Sequence, residues 1–131
     1  MFIEIQNAKD KDLVYTYIIN ILKELKVDRR KRYDIIVKFP KRMPKGFGDA
    51  YGVCEGDQNE SIINISNKQV FLEQMITLAH EIVHAKQFMD GAYPSEREAI
   101  RNEYHLFGKC FPFGGLHPDK NVVQYTFNLK N

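Results

Sequence analysis

The chain opens on a two-residue alternation of apolar and polar positions, Phe2-Ile3-Glu4-Ile5-Gln6, which predicts a strand. From Asp10 to Lys26 the period lengthens. Leu13, Tyr17, Ile18, Ile21, Leu22 and Leu25 recur at helical spacing behind acidic residues near the start, predicting an amphipathic helix. Tyr33 to Phe39 reads as a second strand ended by Pro40, and Pro44-Lys45-Gly46-Phe47-Gly48 as a loop. Two short strands follow, Ala50 to Cys54 and Ser61 to Ser66, joined through the turn Gly56-Asp57-Gln58-Asn59. A long helical pattern then runs from Lys68 to Asp90, with Gly91 placed as a C-terminal cap. Another helix begins near Ser95, after Pro94, and continues to about Gly108, and Val122 to Leu129 predicts a last strand. Strands first and the two strongest helices after them predict an α+β fold: an N-terminal mixed sheet with one helix packed on it, then two further helices.

Composition narrows this picture. A chain of 131 residues is one domain, spanning 1–131, with a single core. No apolar run approaches the roughly 20 residues needed to cross a membrane. The N-terminus carries neither a basic leader nor a small-residue cleavage site, so a cytoplasmic setting is expected, in a cell or in a viral host. Cys54 and Cys110 are too few for a disulfide framework. The net charge is only +2, but Lys23, Lys26, Arg29, Arg30, Lys31, Arg32, Lys38, Lys41, Arg42 and Lys45 crowd one quarter of the chain. The simplest reading of such a run is a solvated helix end and loop. Contact with nucleic acid through residues 23–45 is the less expected one, because no aromatic residues interleave with the basic ones in a recognisable module.

Candidate chemistry sits in the long helix. His80-Glu81-Ile82-Val83-His84 has H-E-x-x-H spacing. Residues four apart lie on one helix face, so both imidazoles can bind the same Zn²⁺ at about 2.0–2.1 Å. Glu81 is offset around the helix, beside the metal, where it can act as general base toward zinc-bound water. Phe71, Met75, Leu78, Ile82, Ala85 and Met89 form the helix's apolar face. His80 and His84 lie nearly opposite, with Glu73, Thr77 and Gln87, as a cleft-lining pair would.

Catalytic zinc needs a third protein ligand and an open position. The next helix offers Glu96, Glu98 and Glu103. Glu103 falls within the apolar stripe Ala99, Ile100, Leu106, Phe107 and Cys110, where a carboxylate needs a positive partner. Glu98 falls on the polar side and fits a capping box with Ser95. An antiparallel return from Ser95 comes level with the histidines some seven or eight residues in, at about 1.5 Å per residue, which favours Glu103. Glu96 shares its face but sits nearer the helix start.

His80-Glu81-Ile82-Val83-His84 followed by Asn102-Glu103 resembles the gluzincin arrangement H-E-x-x-H…N-E of thermolysin-like and aminopeptidase-type zinc peptidases. The size is similar to that of minigluzincins, small single-domain zincins. The resemblance covers about Ala50 to Phe107. It implies a zincin-like fold and a zinc-dependent peptidase, more an endopeptidase than an exopeptidase because no aminopeptidase motif is present. It further implies His80, His84 and Glu103 as ligands, one Zn²⁺ per chain, Glu81 as base, and an edge strand (Ile62 to Ser66 or Ala50 to Cys54) that holds a peptide or protein substrate extended. The usual aspartate four residues past the ligand glutamate is here Phe107, leaving no partner for the first histidine. Tyr104, His105, His117 and Tyr125 are candidates for stabilising an oxyanion, each read first as a packing or surface residue. Cys54 invites comparison with peptide deformylases, but the residues around it differ from that pattern and a small buried side chain is expected. The alternative to a working enzyme is a latent or non-catalytic zinc-binding module, with residues 110–131 lying in the cleft as an extra strand.

Overall fold

The computed structural model describes residues 1–30 and 32–113. The strand expected over Val122 to Leu129, and all but the first four residues of the proposed cleft cover, lie outside them. Four strands and three helices follow in the order β1 (Phe2–Gln6), α1 (Lys11–Glu24), β2 (Asp34–Lys38), β3 (Gly52–Gly56), β4 (Glu60–Ile65), α2 (Phe71–Met89) and α3 (Glu96–Cys110). The sheet order is β1-β2-β4-β3, with β1, β2 and β4 parallel and β3 antiparallel to β4 at the edge. The domain is therefore α+β with a mixed sheet. Of the two segments considered for the free edge, β4 is interior and β3 is the edge. No helix of the described residues is long and apolar enough to cross a membrane.

Local chemistry fixes the elements. The Asp10 carboxylate accepts from Leu13 N at 3.1 Å and starts α1, whose Val14, Tyr17, Ile18, Ile21 and Leu22 are buried. The Asp57 carboxylate accepts from Asn59 N and Glu60 N at 2.8 and 3.0 Å, closing the β3–β4 turn. These bonds hold the Asp57 carboxyl below its usual range. Tyr17 Oη donates to the Met75 carbonyl at 2.7 Å, tying α1 to α2 inside the core.

The apolar face of α2 packs as its periodicity predicts, with Met75, Leu78, Ile82, Ala85 and Met89 buried. The opposite face is not left to solvent. β3 and α3 cover it, so Glu81, His84 and Gln87 are buried too. Gly52 allows that closeness: a Cβ there would stand 2.5 Å from Thr77 Cγ2 and 3.2 Å from the Glu81 carboxylate. On α3 the buried stripe is Ala99, Leu106, Phe107 and Cys110. Ile100, expected within it, is instead 59% exposed. The helix is rotated so that Glu98, Asn102 and Glu103 share the half-buried flank.

Candidate metal centre

His80 and His84 stand one turn apart on α2, ring centroids 5.0 Å from each other. Both turn Nε2 toward Glu96, the first residue of α3. His84 Nε2 lies 2.5 Å from Glu96 Oε1, and His80 Nε2 lies 3.3 Å from the same carboxylate. Donor atoms of these three residues all fall within 4.8 Å of one another, and they are the metal-capable group found among the described residues. Two bonds of about 2.0–2.1 Å at a tetrahedral angle put their donors about 3.3 Å apart, so the set fits one small cation.

Glu103, the carboxylate favoured by helical reach, is not in this group. Its Oε1 accepts from His80 Nδ1 at 3.0 Å, on the far side of the ring. Glu96, weighed and ranked lower, faces the histidines instead. The reason lies in the connection. Residues 91–94 double back along α2 before α3 begins, and Ser95 is level with Gln87, not with the end of α2: Ser95 N donates to Gln87 Oε1 at 2.9 Å and Gln87 Nε2 donates to the Ser95 carbonyl at 3.2 Å. The first residue of α3 thus arrives beside His84, and Glu103, two turns on, arrives behind His80. In that connection Tyr93 is 95% exposed.

Gln87 also fixes which nitrogen of a neutral His84 ring bears the hydrogen. Its Oε1 must face the Ser95 N–H, and its Nε2 must face the Glu98 carboxylate, 2.7 Å away, and the Ser95 carbonyl. The amide therefore cannot be flipped, and the His84 Nδ1 that lies 2.8 Å from Oε1 carries a hydrogen. Glu103 makes the same demand of His80 Nδ1. In each neutral ring the lone pair is then on Nε2, aimed at Glu96, which is the tautomer a metal ligand needs. The partner for the first histidine, absent at Phe107, is Glu103; that of the second, Gln87, was visible in the sequence only as a polar residue three positions after His84. The Ser95 cap forms, with Glu98 N donating to Ser95 Oγ at 3.2 Å, but the Glu98 carboxylate binds Gln87 and leaves the capping box half made.

Glu81 is 5% exposed and lies beside this group, with no hydrogen-bond partner among the described residues. Burial pushes its carboxyl up to about 7, against the pull of His80 and His84. For His80, burial alone lowers proton affinity, but the carboxylates of Glu103, Glu81 and Glu96 outweigh it and the net shift is upward. A cleft of about 260 Å³ opens over these residues, walled by Gly52 to Cys54 on β3 and by Phe88 and Pro94 opposite. Cys54, expected buried, is half-buried on that wall and lies outside the metal-capable group. Burial, then the Glu81 charge, holds its thiol up near 12. Tyr104 is exposed and His105 pairs with Glu24 at 3.9 Å, away from the cleft. His117 and Tyr125 lie outside the described residues. The chain matches no protein-family model, no characterised protein and no solved structure.

Proposed function

We propose that the chain is a small zincin-like metallopeptidase that hydrolyses peptide bonds with one Zn²⁺ held by His80, His84 and Glu96. The observation that carries this reading is the pairing of three converging donors with the Glu81 carboxyl, on a largely buried residue that lines the same cleft. Three protein donors suit a catalytic ion, since structural zinc is closed by four. Glu96 keeps 70% of its side chain exposed, so the set opens onto the cleft.

When bound, zinc polarises a scissile carbonyl and acidifies the attacking water. Glu81 takes the proton of that water and passes it to the leaving nitrogen. Its raised proton affinity suits both halves of the task, because a shuttle works best with a pKa near the working pH. Glu103 and Gln87 keep the imidazoles in register. The free edge of β3 offers backbone N–H and C=O groups along which an extended peptide can pair.

The test is zinc content and hydrolysis of an unstructured protein substrate, measured side by side. Wild type is expected to hold one zinc and to cleave; Glu81→Gln keeps the zinc and loses turnover; His84→Ala and Glu96→Ala lose both. Retained hydrolysis in Glu81→Gln, or a wild type that takes up no zinc on reconstitution, sinks the reading. Zinc bound without hydrolysis of any peptide leaves the non-catalytic module.

A further inference from the structure

The basic residues crowded between Lys23 and Lys45 do not form one patch. Lys23, Lys26, Arg29 and Arg30 lie before β2, and Lys38, Lys41, Arg42 and Lys45 at or beyond its other end. A strand of this length separates the groups by about 17 Å. In the first group Arg30 is paired with Asp90 at 2.7 Å. The second makes no ion pair among the described residues, and it gains members from elsewhere. Because β1, β2 and β4 are parallel, their carboxyl ends emerge together, bringing Lys9 and Lys68 beside Lys41 and Arg42.

These side chains line two adjoining hollows. One, of about 320 Å³, has Lys41, Arg42, Ser66 and Lys68 on its wall. The other, of about 470 Å³, has Asn7, Lys9, Lys41 and Asn67. Lys41 belongs to both, and neither wall contains a carboxylate. The Asp10 carboxylate is turned to its helix cap. Asp49 is the acid of the loop between β2 and β3. Two exposed aromatic residues are joined to this lining through the backbone. Tyr51 is 70% exposed and its carbonyl accepts from Ser66 N at 2.9 Å, while Phe47, also exposed, precedes the Gly48 that lines the first hollow.

We propose that this shelf, at the carboxyl ends of β1, β2 and β4, binds single-stranded nucleic acid. Phosphates lie against Lys9, Lys41, Arg42 and Lys68, and bases stack on Tyr51 and Phe47. Cations alone would serve an acidic protein segment equally; the exposed aromatic residues Tyr51 and Phe47, next to the lining in the chain, favour unpaired bases, whose faces need a flat apolar partner. Duplex is disfavoured because, among the described residues, no helix or two-stranded ribbon lines the shelf to enter a major groove. Tyr51 runs directly into Gly52 on the cleft wall, so the strand lies next to the candidate metal centre. The binding itself does not depend on the metallopeptidase reading.

Fluorescence anisotropy of a labelled oligothymidylate of about 20 nucleotides tests it on the full chain. At low salt the wild type is expected to bind, with a slope of log affinity against log salt of about −3 for four phosphates. Lys41→Glu with Arg42→Glu should weaken binding at least about tenfold, and Tyr51→Ala about fivefold or more. Lys23→Glu with Lys26→Glu, at the opposite end of the sheet, should leave it unchanged. All these side chains are exposed, and circular dichroism verifies that each variant is folded. No binding at low salt overturns the proposal. So does polyglutamate of equal length binding as tightly with no loss in Tyr51→Ala, which identifies an acidic protein partner, and so does tighter binding to duplex.

Discussion

At the scale of single residues, two glutamates on one helix differ in what they face. Glu96 looks at two imidazole Nε2 atoms, and Glu103 at one Nδ1. Zinc titration should therefore separate them: Glu96→Gln abolishes stoichiometric binding, whereas Glu103→Gln keeps it with affinity lowered about 10- to 100-fold. Equal loss in both variants contradicts the assignment. Glu81 sets a pH dependence. Its carboxyl is raised in the folded chain to about 7 from an ordinary 4.5, so the folded state holds a proton that the unfolded state releases. The resulting stability is fully present below about 4.5 and is lost as pH rises through about 7. Metal-free wild type should thus lose stability across that window while Glu81→Gln loses less, as urea denaturation at a series of pH values will show. The upward shift at His80 acts with the same sign. The histidines and Glu81 were legible because five adjacent letters sit on one helix and need no knowledge of other elements. Glu96 was not, because its place depends on four residues of connection whose path no periodicity reports.

Elements were easier to read than their neighbours. Each described strand and helix falls within a few residues of where alternation or helical spacing put it, since side-chain period is a local property. Which strand stands at the edge is decided by pairing across the sheet, and so the choice between β3 and β4 stayed open. The α3 stripe went wrong at Ile100 for a related reason: an apolar residue costs little when exposed, whereas half-buried Glu98 and Glu103 are held by Gln87 and His80. The β3–α2 contact is tighter than any pattern suggests. Gly52→Ala puts a methyl group into Thr77 and against Glu81, and should cost about 1–3 kcal/mol by overpacking. Chemical denaturation checks the figure; a change within about 0.5 kcal/mol means that β3 yields freely.

For the whole molecule, α2 is the junction. It packs on the sheet, receives the Tyr17 bond and carries both imidazoles, while the third member of the metal-capable group comes from α3. An ion bound by two helices stabilises their packing, because the unfolded chain offers no such set. Zinc at 100 times its dissociation constant adds about 2.7 kcal/mol. In a domain near this size that corresponds to a rise in Tm on the order of 10 °C, which scanning calorimetry with and without chelator measures. A Tm indifferent to zinc excludes the ion from the α2–α3 contact.

The connection between those helices has a further consequence. Two members of the metal-capable group precede it in the chain and the third follows it, with Tyr93 fully displayed between them. Hydrolysis of the peptide bond after Tyr93 touches no ligand and no strand, yet it divides the ligand set between two polypeptides. From then on Glu96 would be kept beside His84 by the bonds of Gln87 to Ser95 and Glu98, by that of His80 to Glu103 and by the packing of α3, and a site that was a property of one chain would become an equilibrium between two. A single nick in a surface loop would thus make the candidate centre depend on concentration.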